Sequence, residues 1–248
     1  MLEIAVATLD DALAAAAGGA DRLELNTALA LGGLTPSPGL LSEVKKHVRL
    51  PVMVMVRPRP GGFCYTETEF QVLCHDVDWA LQAGADGIVF GILRPDGAVD
   101  IPRCAKVRKL IGDRVPSIFH RAFDWTPDQF AALDQLIDLG FRRVMTSGQQ
   151  TSAYNGVWRI ASLLDEADGR IEILPAGGIN RHNVRDIVSR SCCQQIHCGL
   201  RQLRHDPSTK RHPQVSLSSS SRGPESEYDA TDQTTVAEMR ALLDAMTS

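Results

Sequence analysis

The sequence lacks the patterns that usually announce a chemistry. No G-x-S-x-G, H-E-x-x-H or P-loop motif occurs in it, so no serine nucleophile elbow, zinc-protease helix or nucleotide cradle is offered. Its 6 cysteines include no C-x-x-C pair, which argues against a ready-made thiolate metal site. They also lack the dense spacing of a secreted disulfide scaffold, so reduced thiols in a reducing compartment are expected. No strand-like run carries a lysine suited to a Schiff base; Lys45, Lys46, Lys106 and Lys109 fall in helical surface patterns. Charge of one sign is missing as well. A formal net charge of −4 gives no electrostatic reason to expect nucleic acid or an anionic membrane as partner. No stretch approaches the ~20 apolar residues of a membrane span, and the first residues, MLEIAVATLDDA, have neither a basic start nor an uninterrupted apolar region. The expectation is a cytoplasmic protein with a small soluble partner.

What is present is a repeating alternation. Short apolar runs recur at 2–6, 22–25, 52–56, 87–90, 116–119, 142–145, 171–174 and 195–198. The segments between them read as helices, such as Leu9–Ala17, Glu67–Ala83 and Pro127–Leu139, each followed by glycine. Strands alternating with helices imply parallel pairing through right-handed crossovers, and eight units in 248 residues fit one closed (β/α)₈ TIM barrel. An open doubly wound sheet is the alternative, but VATLDD after the first strand has no glycine-rich dinucleotide fingerprint. The barrel is expected as a single domain over 1–248. Residues 202–232 are polar and turn-rich, with a serine run at 218–221, and read as a long, partly mobile loop after strand eight. Val236, Met239, Leu242, Leu243 and Met246 then form the apolar stripe of a final helix.

Alternate residues of a strand share a face. That parity places Glu3, Glu24, Asn26, Arg57, Arg59 and His120 on the barrel interior or its rim, with Val, Ile, Leu and Phe facing the helices. Isolated charges there cost several kcal/mol each, so they must pair or meet solvent or ligand at the open end. Glu3 and Glu24 fit a structural ion pair low in the barrel as well as a site. Arg57 and Arg59, in VRPRPGGF, can converge on one anion, the alternative being pairs with Glu24 or Asp124. His120 is a candidate acid or base with Glu24 as its partner, a candidate metal ligand, or a hydrogen-bonded interior histidine. Arg121 has the opposite parity and should point into neighbouring packing, while Asp124 bonds a rim arginine or caps the next helix.

Two glycine signals point to an anion. PAGGIN places Gly177 and Gly178 after strand seven, before a helix read as starting at Asn180, and TSGQ offers Ser147 and Gly148 after strand six. Ordinary turn chemistry explains either motif alone. Together these residues fit a TIM-barrel enzyme of unstated reaction, acting on a small phosphate or carboxylate metabolite. For metals, His197 and Cys198 have opposite parity and cannot both point inward, and Cys64 lies on another element.

GGADRLEL, LGGLTPSPGLL, VMVRPRPGGFCY, DGIVFGIL with DGAVD, FHRAFD, LGFRRVMTSGQ, GRIEILPAGGI and IHCGLR follow one another in an order that resembles the CutC family of copper homeostasis proteins. The resemblance runs from the first strand to about residue 201 and resumes in the C-terminal helix. It implies a cytoplasmic (β/α)₈ barrel, often self-associating as a homo-oligomer, with copper as its partner and no settled reaction. Some members carry cysteines after the first two strand signatures, proposed there as Cu(I) ligands. The matching positions here are Ala5 and Asn26. Soft Cu(I) favours thiolate, so copper binding in this chain would rest on Cys64, His197 or Cys198.

Overall fold

The strand-like runs form strands because β-branched, leucine and aromatic side chains fill their outward faces, and the first five α-helices begin where Thr8, Ser37, Thr66, Asp100 and Asp128 cap them. Thr8 and Asp11 make a reciprocal capping box, as do Thr66 and Glu69. The computed structural model describes residues 1–217 and 224–247; the serine run at 218–221 lies outside them. Strands β1 Leu2–Val6, β2 Arg22–Leu25, β3 Val52–Met55, β4 Gly87–Phe90, β5 Ser117–Phe119, β6 Arg143–Thr146, β7 Glu172–Pro175 and β8 Ile196–Cys198 make one sheet. Helices α1 Leu9–Ala17, α2 Pro38–His47, α3 Glu67–Gln82, α4 Ile101–Ile111, α5 Gln129–Asp138, α6 Val157–Ala167 and α7 Val184–Ser191 alternate with them. Each expected strand lies within one residue of an observed one.

All pairings in this sheet are parallel, in the order β7-β6-β5-β4-β3-β2-β1-β8. A parallel bridge between Ala176 and His197 joins the two outer strands and closes the ring. The fold is a (β/α)₈ TIM barrel, and the open-sheet alternative is excluded. The segment expected as a loop after β8 opens with β9 Arg201–His205 and ends with β10 Glu227–Thr231, which pair as an antiparallel ribbon. Opposite charges face one another across it where Arg201 lies near Asp229, and His205 pairs with Glu227 in register. The Thr231 N–H donates to Asp11 Oδ1 (2.7 Å), tying the ribbon to α1. Helix α8 Gln233–Thr247 follows.

The outward strand faces, Ile4, Leu23, Val54, Ile88, Phe119 and Val144 among them, are buried under the helices, each side chain contributing about 1.5–3 kcal/mol. The interior is divided. On one side Met53, Met55, Val89, Ile118, Met145, Leu174 and Ala176 form an apolar cluster. Gly87 makes room in it, because a Cβ there would lie 2.4 Å from Met53 Sδ. The other side, along β8, β1 and β2, carries Glu3, Arg22, Glu24 and His197, all with little exposure.

Candidate functional site

The polar half of the interior is an ion-pair layer. Arg22 donates from Nε to Glu3 Oε2 and from Nη2 to Gln195 Oε1 (3.1 Å). Arg143 bonds Glu172 (2.6 and 2.8 Å) and the same Gln195 oxygen (3.1 Å). Glu3 therefore makes the low structural pair that its position allows. Its second oxygen lies 2.8 Å from His197 Nδ1, while His197 Nε2 is 3.8 Å from Glu24 Oε2. Burial alone would raise the Glu3 carboxyl, but the His197 hydrogen bond and the Arg22 charge outweigh it and hold it at about 2. The Glu24 carboxyl is raised, by burial first and further by the charge of Glu3, against the pull of His197. Burial lowers His197, yet Glu24 and Glu3 together raise it.

Above this layer, at the carboxyl ends of the strands, a cavity of about 1090 Å³ opens. Barrel enzymes place their chemistry at this end. Glu24, Asn26 and His197 form part of its floor; Met55 and Met145 line its apolar side; Phe63 and Trp125 stand at its mouth.

Arg57 continues the inward parity of β3 and is 6 % exposed. Its Nη1 donates to the carbonyls of Leu31 and Gly33 (both 3.0 Å) and its Nη2 to that of Gly61 (2.6 Å). Among the described residues no carboxylate lies within 4.0 Å of it, so its charge is uncompensated, and its buried Nε has no partner. His120 stands beside it at the end of β5, its ring 4.9 Å from that of Phe63. Gly91 makes space for this ring, since a Cβ there would meet it at 2.6 Å. His120 Nδ1 accepts from the Ala122 N–H (3.2 Å) and Nε2 has no partner. Burial, reinforced by Arg57, pushes the imidazole down to about 3. Near neutral pH it is therefore an uncharged ring that carries its proton on the unpartnered Nε2. The expected His120–Glu24 couple is not formed: Glu24 bonds Asn26 Nδ2 (2.8 Å) and faces His197.

Arg121 is where strand parity misleads. The chain turns at His120 into a 3₁₀ helix over Arg121–Trp125, which swings Arg121 into the cavity wall instead of the packing expected for it. Its Nε donates to Asp124 Oδ2 (2.8 Å) and its Nη2 to Ser147 Oγ (2.7 Å). Asp124 also accepts from Thr146 Oγ1 (2.6 Å) and the Ser147 N–H (3.0 Å). FHRAFD and TSG thus make one unit whose product is an aimed arginine. Ser147 is fully buried in it, and Gly148 is glycine because a Cβ would lie 2.5 Å from the Gly156 carbonyl. Neither lines the cavity, whereas Arg121 does.

Arg59 leaves the site too. It pairs with Glu69 (2.5 Å), the capping residue of α3, spends its other donors on carbonyls and stacks on Tyr65. Gly177 and Gly178 do line the cavity, at φ +103° and +68°. A Cβ on Gly177 would be 3.1 Å from Arg121 Nη1. The helix expected at Asn180 starts instead at Val184, because Asn180 and Asn183 close a turn on the Gly178 carbonyl. The loop therefore presents backbone N–H groups to the cavity, not a helix end. Among the described residues no acceptor is found for the N–H of Gly178 or Ile179.

The three metal candidates are not brought together. Cys64 is exposed at the rim, His197 is on the floor, and Cys198 touches the cavity lining but is buried with the helix-facing core, where burial pushes its thiol up. The one group of three metal-capable side chains found among the described residues is Glu3, Glu24 and His197. Cu(I) fits this site poorly. Soft Cu(I) prefers sulfur, but positions 5 and 26 bring a methyl and an amide to the cavity, and the sulfurs that line it are two thioethers, the exposed Cys64 thiol and the buried Cys198 thiol, whose ionisation burial opposes.

Fold and cavity define a (β/α)₈ barrel protein with a polar-lined cavity at the carboxyl face of its strands. The CutC family model matches residues 1–202. A CutC family protein of Treponema denticola is 47% identical over 214 residues, covering 86% of this chain and 87% of the relative. The human copper homeostasis protein cutC homolog is 40% identical over 242 residues, covering 98% and 88%. The crystal structure of CutC from Streptococcus agalactiae superposes with a TM-score of 0.76 at 31% identity, covering 80% of this chain and 97% of that one. The chain belongs to the CutC family. Among the described residues no helix is long and apolar enough to cross a membrane.

Proposed function

We propose that the protein serves cytoplasmic copper homeostasis, the role its relatives are named for, by binding a small anionic solute in the barrel-mouth cavity. One observation carries this reading. Among the described residues, donors for which no acceptor is found, namely Arg121 Nη1, His120 Nε2 and the Gly178 and Ile179 N–H groups, line the same cavity as the uncompensated charge of Arg57. Charge-assisted hydrogen bonds of this kind favour phosphate or carboxylate. His120 acts here as a neutral donor, so the reading requires no turnover. Titration with inorganic phosphate and with small mono- and dicarboxylates, followed by thermal shift and calorimetry, tests it. At least one of these anions is expected to bind and raise the melting temperature. Arg121→Ala should weaken binding about 10- to 100-fold, the worth of one hydrogen bond to a charged group. Absence of binding by all of them, or affinity unchanged in Arg121→Ala, would overturn the proposal.

A further inference from the structure

The floor of the cavity carries a second site, distinct from the anion donors above it. Glu24 is 3 % exposed, yet its Oε1 has no hydrogen-bond partner. The cationic side chains of the layer are committed elsewhere, Arg22 to Glu3 and Arg143 to Glu172. What faces Glu24 is the imidazole of His197, whose Nε2 lies 3.8 Å from Glu24 Oε2. That gap is too long for a hydrogen bond. It is short enough for one ion at ~2.1 Å from both atoms, the usual distance of zinc from imidazole nitrogen and carboxylate oxygen.

The other side of the ring strengthens the assignment. His197 Nδ1 sits 2.8 Å from Glu3 Oε1, and the opposite oxygen of Glu3 is held by Arg22. A carboxylate that takes the Nδ1–H fixes the tautomer and leaves the Nε2 lone pair facing outward, the arrangement found behind metal-ligating histidines. Here that lone pair faces Glu24 and the cavity. We propose that the barrel floor is a divalent-cation site in which His197 Nε2 and Glu24 are the protein ligands, Glu3 is a positioning residue, and cavity water fills the remaining positions. The donors are nitrogen and oxygen, which suit a borderline ion such as Zn²⁺. The proposal is independent of the anion reading.

Zn²⁺ titrated into chelator-treated, tag-free protein by calorimetry, with Co²⁺ as a spectroscopic probe, tests it. One equivalent should bind at micromolar affinity. Glu24→Gln, nearly identical in shape, and His197→Ala should each weaken it at least 10-fold. Glu3→Gln should keep the stoichiometry and weaken affinity about 10- to 100-fold, as loss of an orienting partner does. The Co²⁺ form should show d–d bands without a thiolate charge-transfer band. Absence of Zn²⁺ binding, affinity unchanged in Glu24→Gln, or a thiolate band revealing cysteine ligation would overturn the site. Circular dichroism of each variant separates lost binding from lost fold, and Glu24→Gln with the Co²⁺ spectrum decides the matter if His197→Ala does not fold. Phosphate binding retained in Glu24→Gln would show that the two sites fail separately.

Discussion

Arg22→Met is expected to lower the unfolding free energy by about 3–5 kcal/mol at neutral pH, the cost of stranding one member of a buried ion pair. Arg22 and Glu3 are 5 % and 2 % exposed and bonded to each other, so removing the guanidinium leaves a carboxylate with little water to turn to. Only His197 would still bond it, and the Gln195 oxygen would lose one of its two donors. Methionine replaces the unbranched stem of arginine as far as Nε, so the cavity term is confined to the space of the guanidinium carbon and its two terminal nitrogens. Adding Glu3→Gln to Arg22→Met removes the stranded charge and should restore most of the loss, because the pair's own net worth is small once desolvation is counted. Urea unfolding of the two variants checks both statements. A loss below about 1 kcal/mol in Arg22→Met, the range of solvent-exposed pairs, would mean that water reaches this layer.

The second large effect concerns acid. His120 has a folded-state pKa of about 3 against an ordinary value of 6.5. Between these values the unfolded chain binds a proton that the folded chain refuses, so protons favour unfolding. The contribution of His120 is complete above pH 6.5 and is lost as the pH falls towards 3, with a limiting slope of ~1.4 kcal/mol per pH unit. His120→Asn removes that slope. Glu3, held at about 2 by His197 and Arg22 against its burial, adds a separate acid loss below pH 4.5. The difference between wild type and variant, followed by urea midpoints from pH 7 to pH 4, isolates the histidine. Identical pH profiles would show that the ring is hydrated and takes up its proton in the folded state.

The barrel was legible because period-two and helical patterns alternate cleanly along the chain, and inward parity singled out Glu3, Glu24, Arg57 and His120 for the same reason. Parity failed where strands end. It sent Arg121 into packing because nothing in FHRAFD marks the 3₁₀ turn that redirects the chain after His120. It kept Arg59 in the site although Glu69, ten positions on, was available to take it. The TSGQ motif after strand six offers Ser147 to an anion, whereas Asp124 and Arg121 enclose it in the fold. The contact of Glu3 with His197 spans 194 positions and exists only because β8 returns beside β1. Two inward polar residues on strands that close the ring were the one signal of it in the sequence.

Cu(I) competition against a colorimetric chelator, under reducing conditions, tests most directly whether this chain's cavity has given up thiolate copper binding. The wild type should leave the chelator's copper in place, because Ala5 and Asn26 bring no sulfur to the site and the thiols that do line it are the exposed Cys64 and the buried Cys198, whose ionisation burial opposes. Ala5→Cys combined with Asn26→Cys should withdraw one equivalent. Withdrawal of Cu(I) by the wild type, undiminished by Cys64→Ser, would contradict the account.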